Sequence, residues 1–96
     1  MEDKIDNKKE FKAILDQMND IYIKKNNDYG DSFNKTCDKF GLIAPLIRMT
    51  DKLNRFEQLT KPFTDQKCQD ESIIDTLIDL ANYAILTAIY LKNNCI

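Results

Sequence analysis

The chain has 96 residues, with 14 lysines and arginines against 16 aspartates and glutamates, no histidine, and a formal net charge of −2. That length is one small domain, and the near-neutral balance excludes a general nucleic-acid binder, which carries a strong basic excess. Without histidine there is no imidazole base and no Ser-His-Asp triad, and Cys37, Cys68 and Cys95, with no CxxC spacing, do not make a four-ligand zinc site.

Two glycines and two prolines punctuate the chain. From about Asp6 to Asn26, Phe11, Ile14, Leu15, Met18, Ile21 and Tyr22 recur at three and four residues, the spacing of a helix with one buried face. Asn26-Asn27-Asp28-Tyr29-Gly30-Asp31 then reads as a loop, because Asn, Asp and Gly favour turns. Asp31 or Ser32 caps a short second helix with Phe33, Cys37 and Phe40 on one face, and Gly41 ends it. A third helix starts near Pro45, tolerated in a first turn. Leu46, Ile47, Leu53 and Phe56 supply its apolar side, and Lys61-Pro62 stops it. A polar connection leads to Asp70, the expected cap of a fourth helix from Glu71 to about Lys92, about 33 Å long at 1.5 Å per residue.

No segment carries the alternating period of a strand, so the expected class is all-α: a single domain, a compact bundle of about four helices. The fourth helix changes character along its length. Its first half is amphipathic, but from Leu80 to Leu91 it is apolar nearly all round, interrupted by Asn82 and Thr87. Such a helix is buried on most sides. Three other short helices hardly cover it, which predicts a homo-oligomer built around it. Asp75, Asp79 and Asn82 break the pattern of a membrane span. The start Met1-Glu2-Asp3-Lys4 lacks the apolar run of a signal peptide. Three free thiols suit a reducing compartment, and the expected location is cytoplasmic.

Two charged stripes carry the chemistry. Arg48, Asp51, Lys52 and Arg55, at offsets of three, four and seven, share one face of the third helix. Glu71, Asp75, Asp79 and Asn82, at offsets of four, eight and eleven, line the fourth. A short connection makes neighbouring helices antiparallel, so a basic stripe and an acidic one meet along a hairpin. One reading is a solvated salt-bridge seam, worth little per pair. The other is a polar cleft. Arginines grip phosphates bidentately, while carboxylates and Asn82 read ribose hydroxyls or base edges, or hold Mg²⁺. The segment with Lys25, Asn26, Asp28, Tyr29, Asp31 and Ser32 adds hydrogen-bonding groups and an aromatic plane for a base.

Three ordered motifs then carry a resemblance. Lys25-Asn26-x-Asp28-Tyr29-Gly30-Asp31-Ser32-Phe33, Ile47-Arg48-Met49-x-Asp51-Lys52-Leu53-x-Arg55 and Glu71-Ser72-Ile73-x-Asp75-Thr76-Leu77-x-Asp79-Leu80-Ala81-Asn82-Tyr83-Ala84 resemble the phage-rich nucleotide modification associated domain 1 family. The resemblance runs from about Tyr22 to Leu91 and implies nucleotide-related phage biology. The last motif is also similar to the second carboxylate helix of MazG-like all-α nucleoside triphosphate pyrophosphatases, which hold Mg²⁺ with two acidic pairs on neighbouring helices. This chain departs from that pattern, with Arg48, Asp51, Lys52 and Arg55 where the first pair belongs.

Three readings follow. The first is a non-catalytic, cofactor-free nucleotide binder, an oligomeric sponge for a (cyclic) nucleotide signal of bacterial defence, as other small phage proteins are. The second is a Mg²⁺-dependent pyrophosphatase, or an accessory of nucleotide modification, with any metal on Glu71, Asp75 and Asp79. The third is an interaction module whose charged seam is only structural. The cationic third helix favours the first.

Overall fold

Asp6 sets where the first helix begins. Its Oδ1 accepts hydrogen bonds from the backbone N–H groups of Lys8 at 3.0 Å and Lys9 at 3.4 Å, two of the donors that a helix start leaves without internal partners. The computed structural model describes residues 5–29, 31–61 and 71–94, with residues 27–29 described by backbone alone. In it α1 spans Asn7–Tyr29. The expected loop from Asn26 is thus helical as far as Tyr29. Asn and Asp cost a helix only a few tenths of a kcal/mol each, and neither glycine nor proline occurs between Asn7 and Tyr29. On its surface Lys12 Nζ meets Asp16 Oδ2 one turn on at 2.9 Å. The hydrogen bond to Asp16, and then its charge, hold the Lys12 ammonium above the usual lysine range.

The chain divides into two compact units, Met1–Asp31 and Ser32–Ile96. The second holds α2 (Ser32–Phe40), α3 (Ile43–Thr60) and α4 (Glu71–Asn94). No strand occurs among the described residues, and the class is all-α, with a long C-terminal helix. The expected cap Asp70 and the polar connection before it lie outside the described residues.

Helix α2 packs through Phe33 and Cys37, one turn apart. Cys37 is 1% exposed. Phe40, expected on the same face, is exposed with Lys39 Nζ 5.3 Å from its ring centre. Gly41 stops the helix at φ +77°, and its N–H donates to the Cys37 carbonyl at 2.7 Å, satisfying one of the last orphan acceptors. A Cβ at Gly41 would meet nothing within 4 Å. The expected cost of Gly41→Ala is therefore purely conformational, about 1–2 kcal/mol. A urea-melt midpoint unchanged in that variant would show that the turn relaxes without penalty.

The third helix begins at Ile43, so Pro45 is its third residue, still within the turn whose N–H groups lack helical partners. Pro45 is fully buried. The inward stripe of α3 is Pro45, Met49, Lys52 and Phe56, of which the last three are half-buried. Leu46, Ile47 and Leu53, expected on the buried side, are exposed in the single chain. The apolar residues of α3 wrap a wider arc than two neighbouring helices cover. Helix α4 buries Ile73 and Thr76, and the Thr76 hydroxyl is satisfied by the Ser72 carbonyl at 2.7 Å. Farther along, Ile85 and Ile89 stay exposed, so the single chain does not bury Leu80–Leu91 on most sides as its composition suggested. By length and composition α4 is also long and apolar enough to cross a membrane.

The order of contacts fixes the topology of the second unit. Lys52 sits eight residues before the end of α3 at Thr60, and Asp79 eight residues after the start of α4 at Glu71. Their ion pair at 3.2 Å therefore lines up the two helix ends beside the connection, as an antiparallel hairpin does. Between α2 and α4, Phe33 meets Tyr83 with ring centres 6.3 Å apart, and the Tyr90 hydroxyl donates to Asp38 Oδ1 at 2.7 Å. Both partners advance along the chain together, so α2 runs in the direction of α4. The three helices go up, down and up.

Candidate functional site

Lys52 is the side chain around which the charged groups assemble. Its stem packs in the inward stripe of α3, leaving the side chain 29% exposed, and its ammonium reaches Asp79, which is 50% exposed. A lysine stem buries its methylenes while its head stays in water, which places the cation at the rim of the groove between α3 and α4.

That pair sets the register for the rest. Arg55 lies one turn toward the connection from Lys52, and Asp75 one turn toward it from Asp79, so the antiparallel arrangement puts them at one level. Arg48 lies one turn the other way, at the level of Asn82 and Tyr83. The two stripes are therefore in step at three levels, over two helical turns or roughly 11 Å along the groove. Arg48, Asp51, Arg55, Glu71 and Asp75 are exposed, and Asn82 is half-buried.

The Phe33–Tyr83 contact adds a third element. It brings the start of α2, and with it Ser32, to the level of Tyr83 and hence of Arg48. The first turn of a helix presents unpaired N–H groups and a partial positive charge. At that level stand the exposed Arg48 and the half-buried amide of Asn82, with the start of α2 at the same height beside Tyr83. The arrangement suits an anion with a polar group beside it.

The family model described as nucleotide modification associated domain 1 matches residues 25–91, more than two thirds of the chain. The chain belongs to this family. No curated protein and no solved structure matches it. In this nucleotide modification associated domain the match begins in the last turns of α1 and ends near the close of α4, taking in all three charged or polar motifs.

Of the residues expected in the site, Lys52 and Asp79 are in direct contact. Arg48 with Asn82, and Arg55 with Asp75, share levels, and Asp51 lies exposed on the same helix. Lys25, Asn26, Asp28 and Tyr29 fall in α1 and belong to the first unit. Asp31 directly precedes α2. Sequence reasoning did not single out Asp38, whose carboxylate clasps Tyr90 and helps hold α2 on α4. Nothing in its neighbourhood distinguished it from a solvated acid on a short helix.

A divalent ion fits this donor set poorly. Glu71, Asp75 and Asp79 stand one turn apart each, about 6 Å along the axis, and Asp79 is engaged by Lys52. Among the described residues no three carboxylate or thiol groups gather closely enough to hold a metal ion.

Proposed function

We propose that this nucleotide modification associated domain binds a nucleotide in the α3–α4 groove without turning it over. The observation that carries the reading is the Lys52–Asp79 pair, which sets a cationic stripe in register with a carboxylate and amide stripe. Arg48, Lys52 and Arg55 would neutralise phosphates, Arg by its planar fork. Asn82 donates and accepts, which suits a base edge or a ribose hydroxyl. Asp75 and Asp79 accept from ribose hydroxyls or exocyclic amines. Lys25, Asn26, Asp28, Tyr29, Asp31 and Ser32 are the further ligand-binding candidates.

Binding without hydrolysis suits sequestration. A small protein made in quantity removes a signalling nucleotide by holding it, and the reading extends to a phage-encoded, cytoplasmic sponge for a (cyclic) nucleotide of bacterial defence. Lysine and arginine already supply the positive charge that a pyrophosphatase takes from Mg²⁺, which is why binding is favoured over catalysis.

The test is a nucleotide panel read by thermal shift, followed by chromatography of the ligand recovered from the protein. We expect intact ligand, and an affinity that is the same in excess EDTA and in millimolar Mg²⁺. Strict Mg²⁺ dependence with pyrophosphate release from nucleoside triphosphates would replace this reading with the pyrophosphatase one. A panel that leaves the melting temperature unmoved would leave the groove as a structural seam.

A further inference from the structure

We infer that two copies of this chain pair through the outer face of α4, antiparallel, about a two-fold axis between residues 82 and 83. The face is a heptad seam. Ile74, Leu77, Ala81, Ala84, Ala88 and Leu91 follow the three-and-four alternation of positions that interlock two helices, and none of them is charged. Ile74 and Leu77 are 52% and 41% exposed, and Ile85 on the same side is 44% exposed.

Apart from Leu91, which is half-buried, the seam lies away from the face that α2 and α3 cover. Residues two apart on a helix point about 200° apart, so Leu77 and Ala81 stand opposite Asp79, which faces Lys52. Pairing along the seam therefore leaves the α3–α4 groove open on each copy.

Charge selects the second copy, and its direction. The first turn of α4 carries Glu71 and its last turn carries Lys92. Both fall at the same heptad position on the seam's flank, twenty-one residues apart. Antiparallel pairing sets Glu71 of each copy beside the last turn of the other, where Lys92 stands, and it brings Ile78 beside Ile85. It also places each helix's positive end by the other's negative end. Parallel pairing would put the two acidic first turns side by side. The apolar layers match under the same two-fold, with Ile74 opposite Leu91, Leu77 opposite Ala88 and Ala81 opposite Ala84, so the surface is complementary to itself. A lipid surface offers no counterpart to this alternation of end charges.

The inference does not rest on nucleotide binding, and it is tested without ligand on the full chain. Sedimentation equilibrium at low salt should show a dimer. Ala84→Glu should give a monomer with unchanged helical circular dichroism, because residue 84 is exposed. Glu71→Lys should weaken dimerisation roughly five- to tenfold, as two attractive pairs become repulsive, and Glu71→Lys with Lys92→Glu should restore it. A wild-type monomer would overturn the inference, and co-sedimentation of that monomer with lipid vesicles would assign the seam to a membrane. A dimer that survives Ala84→Glu, or a charge swap that fails to rescue, would overturn it equally.

Discussion

Replacing Ile73 by alanine is expected to cost about 2–4 kcal/mol and to leave the α2–α4 unit largely unfolded at 37 °C. Ile73 is 8% exposed and stands beside the buried Thr76 on the inward face of α4. Removing its branched side chain loses the transfer energy of three carbons and opens a cavity that helices pinned by Lys52–Asp79 and Asp38–Tyr90 close only in part. A unit of this size has only a few kcal/mol in reserve, so one such loss is decisive. The control is Leu53→Ala on α3, 55% exposed, which should change stability by no more than about 0.5 kcal/mol. Urea melts followed by circular dichroism check both. Equal costs at the two positions would mean that the packed face of this unit has been misassigned.

Arg48→Ala and Arg55→Ala should each weaken nucleotide binding by about 1.5–3 kcal/mol, the usual loss of a charge-assisted hydrogen bond, or roughly ten- to a hundredfold in Kd. Both side chains are exposed, so helicity and melting should not follow the loss. Arg48→Lys separates charge from shape, since it keeps the cation and removes the fork. If the fork matters, the lysine variant should bind nearly as poorly as the alanine one. Isothermal titration with a nucleotide that stabilises the wild type decides the matter, and normal binding by both alanine variants would move the site away from this groove.

How much of this was legible in the sequence depends on which forces act locally. Asp6, Gly41 and Pro45 mark helix ends through backbone chemistry that each residue carries with it, so the bounds of α2 and α3 follow within a residue or two. The loop expected at Asn26–Asp31 was misjudged as far as Tyr29 because turn preference is weak, and a helix already propagating passes through Asn and Asp at small cost. The two charged stripes were visible from spacing alone. Their register was not, since it depends on which lysine finds which carboxylate across the groove, and that needed the Lys52–Asp79 contact. The apolar residues of α3 and α4 were legible as apolar, but composition does not say which of them the single chain covers. Leu46, Leu53 and Ile85 turned out exposed for that reason.

Cys37 gives the second unit a built-in clock. Burial, and then the neighbouring Asp38 charge, push its thiol above the ordinary value of 9.0, so it stays protonated through neutral pH, and the thiolate is the form that attacks. In the unfolded chain the thiol ionises near its ordinary value. Unfolding is therefore favoured as pH rises past that point, and the contribution of this thiol to stability is lost there. Below it, an alkylating reagent reaches Cys37 only in molecules where α2 has lifted from α3 and α4. Its rate of modification measures how often this small bundle breathes open, helix by helix, while the rest of the population remains native.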